Sequence, residues 1–384
     1  MAPIADNQDP KTALGSGESP SEAAPIEQRP APLTRGSMLV RLGGIGVLLL
    51  GVLGAFLYWG GWFSPQKLTP TRFVNEFERV NGTYSGFRRN HAKGVCARGF
   101  FDSNGQGTRL SKAVVFQSGR VPVIGRFSLG GGDPRASDDL STVRGLGLQF
   151  SLSDGEQWRT AMISLPVFPF KDPQAFYGNL VSSELDPNTH QPDPAKMAAF
   201  LANNPETARA LGIIKGHVPS SGFDNSTFYG LNAFRFVDAD GMPTPVRWTL
   251  VPVQPYEAAN AAEASQDKNF LFDALIASIV QHPLQWHLII TVGQPGDPTN
   301  DATIPWPEGR EQVDVGTLTL DSVESEETSP ARDINFDPLV LPAGIQPSDD
   351  PLLSARSAIY SQSFTRRAGE TKEPSAITPS EVRK

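Results

Sequence analysis

The chain holds one cysteine, Cys96, among 384 residues, so no disulfide can form within it. That excludes a small stapled fold but leaves an extracytoplasmic location open. Positive charge is also short: 33 Lys and Arg face 41 Asp and Glu, for a net charge of −8. No basic block occurs, which argues against a nucleic-acid partner, because such binding neutralises phosphates with clustered Lys and Arg. His190, His217, His282 and His287 lack the spacing of metal ligands, and no His-Glu-x-x-His pair exists. No Gly-x-Ser-x-Gly elbow occurs, so hydrolase chemistry has no support. The run Gly130-Gly131-Gly132-Asp133 is not followed by Gly-Lys-Ser/Thr and reads as a turn, not a phosphate loop. Glycine and proline are plentiful, at 36 and 34 residues, which favours β-rich structure with many turns.

The first 36 residues are rich in Pro, Ala, Ser and Glu, show no apolar period, and read as a disordered tail. The stretch 37–63 is different. No charged residue lies between Leu42 and Gln66. As a helix, 42–59 spans roughly 27 Å and 42–63 roughly 33 Å, enough to cross a bilayer. Tyr58, Trp59 and Trp62 cluster at the far end, as interfacial aromatics do, and Arg35 and Arg41 flank the near end. The pattern predicts a single-pass anchor in a bacterial cytoplasmic membrane, with the N-terminus inside and everything after the anchor on the extracytoplasmic side. A signal peptide would start nearer the terminus and end in an Ala-x-Ala-like site.

Beyond the anchor, Thr69-Pro70 is a cap followed by a first-turn proline, and Phe73, Val74, Phe77 and Val80 form a helical stripe closed by Gly82. Asp172-Pro173 and Asp193-Pro194 look like further helix starts. Strand-like runs fall at 95–101, 113–116, 121–129, 146–152, 158–165, 233–237, 246–253, 284–292 and 316–320, with a helix at 269–281. Strands in short-turn succession, with helices gathered between groups, predict an α+β fold: an antiparallel barrel over 64–367 with added helices. Residues 368–384 are polar and expected to fray.

Two clusters carry chemistry. Arg88-Arg89-Asn90-His91-Ala92-Lys93-Gly94 puts a histidine at a helix-to-strand corner, where a side chain can enter a cavity. Far away, Arg356-Ser357-Ala358-Ile359-Tyr360 sets an arginine and a tyrosine one turn apart on a helix face. Peroxide chemistry needs a base that moves a proton between two oxygens, which suits histidine. It also needs a redox metal and an anionic axial ligand, which a tyrosinate beside a cation supplies. The two clusters read as opposite sides of one bound haem. Arg126 and Arg144 each lie in apolar runs, where an unpaired charge is costly, so both invite partners. Cys96 reads as a small buried hydrophobe.

In its motifs the chain resembles the haem catalases, and more closely the small catalase-related peroxidases that keep only the haem-binding core. Arg88-x-x-His91-Ala92-Lys93-Gly94 resembles the distal motif. Val123-Ile124-Gly125-Arg126-Phe127-Ser128 and Arg144-Gly145-Leu146-Gly147-Leu148-Gln149-Phe150 resemble two successive strands, and 350–360 the proximal helix. The resemblance implies haem b (iron protoporphyrin), with Tyr360 as its metal ligand and Arg356 beside the phenolate. It implies His91 as acid/base and Ser128 as the residue orienting the imidazole. It further implies Arg88 and Arg126 on the propionates, Phe176 on the distal face, and Val95 beside His91. Tyrosine ligation is a known property of such haem sites. One segment departs. Where catalases carry Gly-Asn-Asn-Thr-Pro, this chain has Ala161-Met162-Ile163-Ser164-Leu165-Pro166, with no amide. The resemblance then implies a peroxidase using peroxide and small organic electron donors, with weak or no catalase activity. A fatty-acid hydroperoxide-rearranging enzyme and a non-catalytic haem-binding or sensing module are the alternatives. No oligomeric state is read from the sequence.

Overall fold

The structure, a computed structural model, describes residues 34–59, 68–186, 188–189, 191–260 and 267–379. The expected tail up to residue 33, Trp62 and His190 lie outside them. The chain divides into two units, one ending at Lys67 and one beginning at Leu68. In the first, α1 (Arg35–Trp59) is a 25-residue helix with mean hydropathy 2.1 over its most apolar window and no buried residue. By length and composition it suffices to cross a membrane.

In the second unit, side-chain caps and first-turn prolines set several helices. Thr69 caps α2 (Pro70–Asn81), Asp172 caps α3 (Pro173–Ser182) and Asp193 caps α4 (Pro194–Asn203). Proline also opens α5 (Pro205–Gly216), and Asp350 caps α7 (Pro351–Ala368). Each cap satisfies an amide that the first turn leaves without a partner, and proline loses nothing at that position. Helix α6 (Phe270–Gln281) is capped from a distance: Asp138 Oδ2 accepts the Leu271 amide at 2.9 Å.

The strands are β1 (Gly94–Ser103), β2 (Gly119–Leu129), β3 (Arg144–Ser151), β4 (Gln157–Ile163), β5 (Phe228–Tyr229), β6 (Phe234–Val237), β7 (Pro243–Pro252), β8 (Leu284–Val292), β9 (Gln312–Glu324) and β10 (Ile345–Pro347). All named pairings are antiparallel. The ring runs β1-β2-β3-β4-β5-β7-β8-β9 and returns to β1; the β7–β8 pairing closes it, β6 hangs from β7, and β10 from β6. Closure removes the exposed edges of an open sheet. Aromatic side chains fill the interior, with Trp158, Trp248 and Trp286 fully buried among Phe101, Phe127 and Phe150.

Two expectations fail here. Residues 113–116 form no strand; Val114–Phe116 is a 3-10 turn in which the Phe116 amide donates to the Ala113 carbonyl. A short apolar run buries equally well in either conformation, so its composition could not discriminate. The expected frayed end is also corrected over its described part. Glu370 pairs with Arg89, Lys372 with Asp333, and Ile377 is buried. Ion pairing and one apolar anchor hold a segment whose composition alone reads as solvent-exposed.

Candidate active site

Strand alternation sends Val121, Val123, Phe127 and Leu129 of β2 into the barrel. Arg126 and Ser128 take the opposite face and line a cavity between the outside of β2–β4 and helices α2, α3 and α7. Phe73, Val74 and Phe77 of α2 and Phe176 of α3 form an apolar wall. The Phe176 ring stacks on Phe170 at 4.8 Å. Helix α7 contributes a stripe at helical spacing: Leu352, Ala355, Arg356, Ile359, Tyr360, Ser363, Phe364 and Arg367.

His91 stands on the distal side. Its Nδ1 lies 3.2 Å from Ser128 Oγ, so the two residues meet as expected. Both cross-strand neighbours of Ser128 are glycine, Gly94 on β1 and Gly145 on β3. A Cβ on Gly145 would lie 2.9 Å from His91 Nδ1, and one on Gly94 would lie 2.5 Å from the Arg126 guanidinium. The strands leave out side chains where the histidine and arginine must pass. The backbone of His91 is left-handed, at φ +54, a conformation that non-glycine residues keep only when the surroundings impose it. Burial, reinforced by the positive charge of Arg126, Arg356 and Arg88, pushes its imidazole down to about 4. The ring is therefore neutral at physiological pH.

Lys93, in the same motif, turns away from the cavity. Its Nζ donates to Asp138 Oδ1 at 2.6 Å and to the carbonyls of Ala136 and Lys268. It ties the start of β1 to the cap of α6, which is a structural task.

On the proximal side Arg356 reaches Tyr360 Oη at 3.4 Å and donates to the Ala161 carbonyl at 2.9 Å. Its other terminal nitrogen donates to Asn232 Oδ1, and Asn232 Nδ2 donates to Asp350 Oδ2 at 2.8 Å. Burial pushes the Asp350 carboxyl up, against the hydrogen bonds from Asn232 and the Leu352 amide. Sequence reasoning missed Asn232, which arrives from the β5–β6 connection. It also missed Arg367, buried and seven residues beyond Tyr360 on the same stripe of α7. That spacing was the available signal.

Besides Arg356, four arginines, Arg88, Arg89, Arg126 and Arg367, line the cavity. Arg88 donates to Glu326 Oε1 at 3.2 Å and to the carbonyls of Ala331, Arg332 and Ile334. Arg126 donates to Glu326 Oε1 at 2.6 Å and to the carbonyls of His91 and Ala92. Val95 is a correction. It is fully buried in the barrel interior opposite Phe127 and does not line the cavity. Its neighbour Cys96 takes the outer face beside Phe336, because successive side chains of a strand point to opposite sides. Burial pushes the Cys96 thiol up to about 11, so it is no thiolate. Among the described residues no group of His, Cys, Asp and Glu could hold a free metal ion.

The arrangement defines a class of site: two facing walls, an imidazole on one, a phenol with an arginine on the other, and cations along one border. The family model for catalase matches residues 64–376, and the chain belongs to the catalase family, whose members are oxidoreductases acting on peroxide. It is 38% identical over 306 residues to a catalase-related peroxidase of Synechococcus elongatus, covering 79% of this chain and 90% of that one. It is 31% identical over 305 residues to another from Mycolicibacterium paratuberculosis, covering 79% and 96%. A fungal catalase superposes with TM-score 0.67 at 21% identity, over 79% of this chain and 64% of its own. A bacterial catalase gives 0.66 at 22%, over 80% and 63%. The chain thus spans about two thirds of those solved catalases. The family implies haem, and the residues fit it. Tyr360 offers an oxygen ligand and Phe176 and its neighbours offer an apolar face, whereas Arg88 and Arg126, expected on two carboxylates of the group, are here bound to Glu326 and main-chain carbonyls.

Proposed function

We propose that this chain is a haem b peroxidase that reduces hydrogen peroxide or organic peroxides with small organic electron donors and has weak or no catalase activity. Tyr360 would hold the iron, with Arg356 beside the phenol oxygen. Haem, when bound, supplies the two electrons that break the peroxide O–O bond. His91 does the proton work. Its Nδ1 is engaged by Ser128 Oγ, which leaves Nε2 to take a proton from one peroxide oxygen and return it to the other. Because the imidazole is pushed down to about 4, it is ready as a base at every pH above that value. The absence of an amide from 161–166 removes a hydrogen-bonding group for a second peroxide, which favours organic donors over disproportionation. Relatives named catalase-related peroxidase support the same reading.

We further read α1 as a membrane anchor, with the catalytic unit on the extracytoplasmic side of a bacterial cytoplasmic membrane. Its length and apolar composition support this, as does the Arg35 and Arg41 flank.

The observation that carries the catalytic proposal is the His91–Ser128 pair facing Tyr360 and Arg356 in one cavity. The test is the haem-loaded His91→Ala variant mixed with hydrogen peroxide in stopped flow. Haem content should persist, and the bimolecular rate should fall by at least about 100-fold, the usual weight of general acid–base catalysis. A wild-type rate removes His91 from the chemistry.

A further inference from the structure

Glu326 has no part in the chemistry so far, yet it sits directly behind it. It lies just past β9, is 3% exposed, and is screened from the cavity by Arg88 and Arg126. Burial pushes its carboxyl up, but Arg126 and Arg88 outweigh that and hold it below the usual range. It is therefore an internal anion. Its Oε1 takes Arg126 Nε at 2.6 Å and Arg88 at 3.2 Å. Arg126 spends its two terminal nitrogens on consecutive main-chain carbonyls, those of His91 and Ala92, each at 2.9 Å.

Those carbonyls belong to the left-handed corner at His91. Such a corner is strained for a non-glycine residue and survives only where it is over-determined. Asn90 Oδ1 grips it from the amide side, accepting from His91 and Gly131. The Ala92 amide donates to the Gly131 carbonyl. The Arg126 fork grips it from the carbonyl side. A guanidinium buried to 3% exposure needs a counter-ion to stay in place, and Glu326 is that ion.

We propose that Glu326 is a positioning residue for His91: by anchoring the Arg126 fork it holds the His91 and Ala92 carbonyls in the turn that presents the imidazole to Ser128 and the cavity. The proposal rests on the reading of His91 as the proton carrier. It predicts that loss of the carboxylate slows proton transfer without emptying the site.

The experiment compares full-length, haem-loaded wild type, Glu326→Gln, Glu326→Ala and His91→Ala. Reaction with hydrogen peroxide is followed per bound haem, beside the absorption spectrum and thermal unfolding. Glu326→Ala should slow the reaction by about 100-fold, the cost of a misplaced catalytic group. Glu326→Gln keeps an oxygen for Arg126 but no charge, and should fall between Glu326→Ala and wild type. A merely structural role would lower haem content and thermal stability and leave the rate per haem unchanged, which overturns the proposal. Should Glu326→Ala fail to fold, amide hydrogen exchange in Glu326→Gln decides. Ala92 and Gly131 should exchange about ten times faster than in wild type while the barrel stays protected, and unchanged exchange overturns the proposal. If His91→Ala itself reacts at the wild-type rate, both readings fall. If His91→Ala is slow and both Glu326 variants are fast, this one falls alone.

Discussion

On the proximal wall Arg356 and Tyr360 are one turn apart on a single helix, and the helix alone brings them together. On the distal wall His91 and Ser128 are 37 residues apart and meet only because β1 pairs with β2. The distal corner also depends on a glutamate 200 residues from Arg126. The proximal wall is a regular helix cut to the period of α structure. The distal wall is a strained turn held by side chains from three segments. The comparison teaches that helix spacing alone pairs the proximal residues, with Asn232 and the Ala161 carbonyl steadying Arg356, whereas the distal pair exists only through its scaffold and is vulnerable wherever that is touched.

The largest effect expected is on the proximal side. Tyr360→Phe removes the sole oxygen ligand assigned to the iron. Haem retention, measured by hemin titration, should fall by more than the ~10–100-fold that outer-shell partners cost a metal site. Undiminished affinity would break the comparison at its simpler end.

Next comes the distal scaffold. In Gly145→Ala the new methyl meets Ser128 Oγ at 2.8 Å and His91 Nδ1 at 2.9 Å. Overpacking of this kind destabilises by about 1–3 kcal/mol. The displaced imidazole should slow reaction with peroxide by about 100-fold, while hemin binding through Tyr360 is kept. Stopped-flow and hemin titration on one preparation would separate the walls.

Acid sharpens the same contrast. The His91 imidazole, ordinarily near 6.5, is pushed down to about 4 in the fold, by burial first and then by neighbouring arginines. Between those values the unfolded chain binds the extra proton. This part of the stability is therefore complete above pH 6.5 and is lost as pH falls toward 4, by up to about 3 kcal/mol. Urea unfolding of the cofactor-free protein at pH 7 and pH 4.5, with and without His91→Gln, measures it. An equal pH dependence in the variant sinks the assignment. The smallest effect expected is that of Ser128→Ala, which removes one hydrogen bond of 3.2 Å. About 1 kcal/mol, and so less than a tenfold change in peroxide rate, should follow.

Much of the architecture was legible because it is local. The Thr69-Pro70, Asp172-Pro173 and Asp193-Pro194 starts are read directly from the order of residues. So are the apolar run of α1, the α2 stripe and the alternating strands of the barrel. Val95 shows the limit. Alternation says that Val95 and Cys96 face opposite ways but not which of them faces the cavity, and a one-residue slip inverts the answer. Arg367 was within reach at the heptad spacing from Tyr360. Asn232 and Glu326 were not, because each acts through a partner more than a hundred residues away.

Residue order by itself determined where the capped, proline-opened helices α2, α3 and α4 begin, that an apolar helix precedes the folded unit, and that an arginine and a tyrosine share a helix face. Hydrogen-bond caps and side-chain periods operate over a few residues, so they are written in short stretches. Tertiary structure alone decided that the β7–β8 pairing closes the barrel and that Gly94 and Gly145 clear a path beside Ser128. It alone decided that Glu326 stands behind Arg126. Those outcomes depend on the register between strands and on burial, which exist only once the whole ring has closed.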